Sequence, residues 1–193
     1  MGVVTNTGAW PQHGRPFTVG DLERMPDDGH RYELLDGTLI VSPAPSPAHQ
    51  RVSVMLTHVL EGACPQEFIV LADVSVRLGA GSAVEPDVVV ALPSDVSGAC
   101  LVRPPLLVAE ILSPDSALRD LNLKKAAYER FGVPSYWVID PDLERPSPLA
   151  FELADGVYSE VGCVTGSTPF GANRPFPLEF TPGDLIGKLR RQG

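Results

Sequence analysis

"PLLVAEILSPDSALRDLNLKKAAYERFGVPSYWVID", residues 105–140, contains an apolar strand-like run, a helical stretch and a second strand-like run in direct succession. "PLLVAEIL" is rich in branched apolar residues and is closed by Ser113 and Pro114, as a buried strand would be. The following "SALRDLNLKKAAYERFG" has Ser116 as a candidate N-cap, Gly132 just past its end and Pro134 beyond, which are helix start and stop signals. "SYWVID" then reads as another strand. A strand, helix and strand in that order predict a crossover unit, which is right-handed in nearly all cases and usually joins parallel strands. The stretch therefore predicts an α/β fold with a mixed central β-sheet flanked by helices.

Upstream, "EFIVLADVSVRL" (67–78) and "AVEPDVVVAL" (83–92) read as two further strands, separated by glycines. Before them, Val52, Met55, Leu56, Val59 and Leu60 recur at i, i+3, i+4, i+7 and i+8, which predicts a helix with one buried face. Gly62 suits the position just after its end. In "HRYELLDGTLIVSPAP", Asp36-Gly37 separates two apolar runs and predicts a hairpin with strands near 31–35 and 38–42. Thr18 to Met25 reads as a short capped helical turn, and residues 1–16 as a loose N-terminal arm. Downstream, a hairpin turning at Asp155-Gly156 and a short terminal helix complete the chain. Residues 17–193 are expected to form a single domain.

At 193 residues, with 44% hydrophobic and 20% charged residues, the composition is that of a soluble globular protein. No apolar run approaches the roughly 20 residues that cross a bilayer, and no membrane association is expected. The N-terminus lacks a basic segment followed by an apolar one, and Asn6 stands where a myristoylation signal needs a hydroxyl, so a cytoplasmic location is expected. Cys64, Cys100 and Cys163 are far apart and odd in number, without metal-ligand spacing, and read as reduced, half-buried fillers. A net charge of −9 works against loose adhesion to nucleic acid, so a polyanion would have to meet a local basic patch or a metal ion.

Two carboxylates sit inside apolar strands. Asp87 opens "VVVAL" and Glu110 interrupts "LLVAEIL", where a charge is costly unless paired or bound to a cation. Either each faces solvent at a strand end, or the two share a hard-cation site, since Mg²⁺ is held by one or two carboxylates plus waters and phosphates. The chain has twelve arginines and three lysines, two of them adjacent, Lys124 and Lys125. A lysine suits a compact charge beside a reacting oxygen. Asp120, Lys124 and Tyr128 share one helical stripe, so Lys124 belongs either to a surface ion pair with Asp120 or to a site. Glu33 in "RYELL" is a solvent-facing strand residue by alternation or a third acid, and His49 a helix-entry polar residue or a site member. No phosphate-binding glycine loop, GxSxG elbow or HExxH motif is present, and Ser113 reads as a turn residue.

"YELLDG", "EPDVVV", "AEILSP" and "RDLNLKKAAYERFGVPSYWVIDP", in that order, resemble the Uma2 family, also called DUF820, of the PD-(D/E)XK nuclease superfamily. The resemblance runs from about Arg31 to the C-terminus. It implies a restriction-endonuclease-like core with an N-terminal β-hairpin. It implies Asp87, Glu110 and Lys124 as catalytic residues, with Mg²⁺ or Mn²⁺ held by Asp87, Glu110, Glu33 and the Ile111 carbonyl. The superfamily's usual lysine position, two after the second acid, is Leu112 here, and Lys124 on the following helix takes its place. Asp120, Glu85, His49 and Tyr128 are expected as supporting residues. The implied activity is metal-dependent hydrolysis of DNA phosphodiester bonds. A non-catalytic nuclease-fold binding module and a hydrolase of another phosphoester are the alternatives. Exposed hairpins and the Trp137 strand suggest a homodimer.

Overall fold

The strand, helix and strand of residues 105–140 form the expected crossover, and the rest of the chain is arranged around it. The computed structural model describes residues 15–113 and 117–189. In chain order the elements are α1 (Val19–Leu22), β1 (Arg31–Leu35), β2 (Thr38–Ser42), α2 (Pro47–Ala63), β3 (Ile69–Ala72), β4 (Ser75–Gly79), β5 (Ser82–Val84) and β6 (Val88–Ala91). Then come β7 (Val96–Ser97), β8 (Cys100–Leu101), β9 (Leu107–Ile111), a π-helical turn (Arg119–Lys124) running into α3 (Lys125–Phe131), and β10 (Ser135–Asp140). β11 (Ser147–Ala154), β12 (Val157–Cys163), β13 (Phe170–Ala172), β14 (Leu178–Phe180) and α4 (Pro182–Ile186) follow. The expected N-cap Ser116 lies outside the described residues, as does most of the expected arm. Its last two residues are held: Arg15 pairs with Asp21 of the α1 capping box, and Pro16 packs over the hairpin turn.

The strands form two six-stranded sheets, ordered β12-β11-β10-β9-β6-β3 and β2-β1-β5-β4-β8-β7, and a separate β13-β14 pair. In the first sheet β9 and β10 are parallel and the other pairings are antiparallel, so the sheet is mixed as expected. Two segments that read as single strands are each split between the sheets. "EFIVLADVSVRL" breaks at Asp73, whose positive φ of 50° turns the chain out of β3 and into β4. "AVEPDVVVAL" breaks at Glu85-Pro86-Asp87, between β5 and β6, because Pro86 has no N–H to donate to a ladder. The Asp73 N–H bonds to the Asp87 carbonyl, tying the two crossings together. Trp137, whose strand suggested a homodimer, lies on β10, which is paired on both sides, and is 1% exposed.

The central strands of the first sheet, β6, β9 and β10, are buried on both faces, which is why β9 and β10 read as near-continuous apolar runs. On one face, Val88, Val90, Leu107, Ala109, Trp137 and Ile139 pack against Val52, Leu56 and Leu60 of α2 and the buried part of α4. On the other, Val89, Val108, Tyr136 and Val138 pack against Ala127 and Tyr128 of α3 and against the second sheet. Gly62 is inside α2 rather than after it. The helix continues to Ala63 and stops because Cys64, which precedes Pro65, is forced to extended backbone. Gly132 ends α3 in the left-handed conformation, as its position predicts. Of the cysteines, Cys64 and Cys100 are half-buried and Cys163 is exposed.

Candidate active site

The chain's crossing between the sheets at Glu85–Asp87 places its acids beside the end of β9. Val88 faces Ala109 across the β6–β9 pair, so Asp87 comes next to Glu110. Asp87 does more than lie there. Its Oδ2 accepts the Ile111 N–H at 2.7 Å, continuing with a side chain the ladder that β6 has left. Its Oδ1 accepts from the Arg31 Nη1 at 2.8 Å, and the His49 Nε2 lies 3.1 Å from Oδ2. His49 reaches this point from the first turn of α2, where Ser46 caps the helix. It is a buried member of the site, not a solvated helix-entry residue.

Glu110 faces the α3 side of β9. Its Oε1 accepts from Lys124 Nζ at 3.0 Å and from the Tyr128 hydroxyl at 2.6 Å. Lys124 also approaches Glu33 Oε1 at 2.8 Å and Asp120 Oδ1 at 3.9 Å. Lys124 is 2% exposed, so the surface-pair reading of Asp120 and Lys124 does not hold. The stripe Asp120, Lys124 and Tyr128 faces inward, along the π-helical turn and into α3. Such turns are frequent at functional sites. Glu33 does not face solvent either. It is 1% exposed, and its Oε1 also accepts the Glu85 N–H at 2.9 Å. The Glu85 side chain is half-exposed, 4.0 Å from Arg31 Nε.

The charges perturb one another. Burial pushes the Glu110 carboxyl up to about 8, with repulsion from Asp87, Asp120 and Glu33 adding to it and Lys124 opposing it. Burial pushes Asp87 upward too, but the His49 hydrogen bond and charge, with Arg31, outweigh it and leave Asp87 below the usual carboxylate range. Burial alone would lower Lys124; the carboxylates of Glu110, Glu33 and Asp120 instead hold it above an ordinary lysine. Tyr128 is raised, chiefly by burial. Two acids on adjacent strands are thus shifted in opposite directions, a separation typical of functional sites.

These groups line a pocket of about 330 Å³ together with the Ser42–Ser46 segment and Arg119. Asp87, Glu110, Lys124, Glu33, Ile111, Asp120 and His49 all reach it, whereas Glu85 and Tyr128 adjoin it. Among the described residues, no three His, Cys, Asp or Glu side chains are grouped as a metal ion would need. Glu33, expected as a third ligand, meets Lys124 and the Glu85 N–H through its Oε1 and lines the pocket. Two arginines in the pocket, Arg31 and Arg119, went unnoticed in the sequence. Arg31 had a signal: it is two residues before Glu33 on β1 and so on the same strand face.

A mixed sheet with a crossover helix on one face, and with acids at the end of neighbouring strands, defines a restriction-endonuclease-like architecture. The sequence profile of the Uma2 family, described as "Putative restriction endonuclease", matches residues 19–185, and the chain belongs to that family. A crystal structure titled as a putative nuclease belonging to DUF820, from Anabaena variabilis ATCC 29413, is similar in fold with a TM-score of 0.70. It is 20% identical, and the match covers 90% of this chain and 99% of that one. No curated protein matches the sequence.

Proposed function

We propose that the chain is a divalent-metal-dependent endonuclease that hydrolyses DNA phosphodiester bonds. One observation carries this reading: Asp87, Glu110 and Lys124, from two adjacent strands and the next helix, converge on one open pocket. Two neighbouring carboxylates are enough for Mg²⁺ or Mn²⁺ when waters and substrate phosphate complete its shell. The Ile111 N–H is directed at Asp87, and in an extended strand the carbonyl of the same residue shares that edge, so a third oxygen adjoins the acids. When bound, the cation supplies polarisation of the phosphate and a more acidic attached water.

The chain's own groups do the rest. Glu110, with Asp87, would hold the cation through its carboxylate. Asp87 is oriented for the same task by Arg31, His49 and the Ile111 N–H. Lys124, aimed by Glu33, donates to the attacking water and offsets charge that builds on the phosphate oxygens. Tyr128 fixes one oxygen of Glu110 and leaves the other to the pocket.

The test is incubation of supercoiled and linear DNA with the purified protein and Mg²⁺ or Mn²⁺. Asp87→Ala should abolish cleavage, as should Asp87→Asn, which keeps an acceptor for the Ile111 N–H. Undiminished cleavage by either variant would remove Asp87 from the mechanism. A second reading, a non-catalytic nuclease-fold module, is favoured by the internal pairing of the acids, Asp87 with Arg31 and Glu33 and Glu110 with Lys124. Calorimetric titration separates the two, because the module takes up no Mn²⁺ at millimolar metal.

A further inference from the structure

Three cations line the pocket, and they are neutralised to very different degrees. Arg31 is shared among Asp87, Asp73 and Glu85. Lys124 is shared among Glu33, Glu110 and Asp120. Among the described residues, Arg119 meets Asp120, at 3.8 Å from its Nε, and makes a long contact of 3.5 Å from Nη2 to the Ser42 hydroxyl. Its Nε is sealed from solvent beside Asp120, without a hydrogen bond among the described residues. A guanidinium carries five N–H donors in a rigid fork, and here it is the terminal nitrogens that are left to meet a ligand in the pocket.

We propose that Arg119, with the Ser42 hydroxyl beside it, is a phosphate-binding subsite that grips a non-bridging oxygen of the nucleic-acid backbone in the pocket. The inference rests on the DNA reading above and adds to it the residue that binds rather than cuts. The neighbouring lining agrees. Pro43, Ala44 and Pro45, next along the chain from Ser42, form an apolar stretch with a single N–H, able to meet a sugar face but not to hold an anion. Arginine is the residue that takes a phosphate bidentately, whereas Lys124, enclosed by three acids, acts as a point charge. Arg119 is placed by the π-helical turn, which starts with it.

The experiment is fluorescence anisotropy of a short labelled DNA duplex in EDTA, where no cleavage occurs, over a series of KCl concentrations. Arg119→Gln should weaken binding roughly 10-fold and reduce the slope of log affinity against log salt by about 1, the signature of one lost phosphate contact. Arg119→Lys should keep most of the slope while losing several-fold in affinity, and it decides the matter if Arg119→Gln does not fold. Arg174→Gln, an exposed arginine away from the pocket, should match the wild type. Wild-type affinity and slope in Arg119→Gln would overturn the proposal, as would wild-type affinity in Arg119→Lys should the glutamine variant not fold. No DNA binding by the wild-type chain would overturn both this subsite and the DNA reading. Binding with the expected slope loss, but no cleavage in Mg²⁺ or Mn²⁺, would end the nuclease reading and leave Arg119 in place.

Discussion

The two faces of β9 are equally buried and oppositely built. Toward α2, Leu107, Ala109 and Ile111 belong to the apolar core, and stabilisation there is roughly proportional to the area removed from water. Toward α3, the same strand presents Val108 and then Glu110, which meets a lysine, a tyrosine and the edge of an open pocket. One face depends on fit, the other on mutual compensation of charge. Burial by itself therefore says little about what a residue contributes. A buried ion pair adds little to stability while intact, but breaking it leaves a charge with nowhere to go.

The comparison is most sharply broken by removing one side of the charge balance. Lys124→Ala should cost about 3–5 kcal/mol in denaturant unfolding above pH 8, where the wild-type chain keeps an ionised Glu110 against its cation and the variant cannot, and less at pH 6, where Glu110 holds a proton in both chains. Leu56→Ala, on the apolar side, should cost about 2–5 kcal/mol with no such pH dependence. Equal losses at both pH values for Lys124→Ala would refute the contrast. Tyr128→Phe deletes the donor 2.6 Å from Glu110 and should cost about 1–3 kcal/mol, measured in the same way.

The smallest effect is a change of slope. Glu110 is raised from the ordinary 4.5 to about 8, so between those values the folded chain holds a proton that the unfolded chain has released. Its contribution to stability thus falls as pH rises through that window. Glu110→Gln should flatten the dependence of Tm on pH there, and an unchanged slope would show that Glu110 ionises freely when folded.

Much of the fold was legible because its signals are local. Asp36-Gly37, with both residues at positive φ, turns the first hairpin where the dipeptide says it should. A Cβ at Gly37 would stand 2.7 Å from that of Pro16, so the position has a second reason to be glycine. The crossover at residues 105–140 was legible for the same reason. Exchange of a strand between sheets was not, since Asp73 and Pro86 interrupt runs whose apolar pattern continues across them. In the site, Asp87 and Glu110 stood out as charges in apolar company. Lys124, Glu33 and His49 each had a bland reading that only tertiary contacts remove, because helix and strand periodicity cannot say whether a polar stripe faces water or a pocket. Arg119 gave no signal, being one arginine among twelve.

The π-helical turn has a consequence for how this chain tolerates change in length. A turn that closes on the fifth residue holds one more residue than an α-turn, and it resembles a single-residue insertion. Deleting the exposed Asn122 would let Arg119–Phe131 close as a regular helix with little rotation of its two ends against each other, because the wide turn already absorbs the roughly 100° that one extra residue would add to an α-helix. Arg119 and Asp120 would keep their direction toward the pocket while the helix became more regular. That shortened chain should melt no earlier than the wild type and keep its DNA affinity, whereas deleting a residue from the regular part of α2 should do neither.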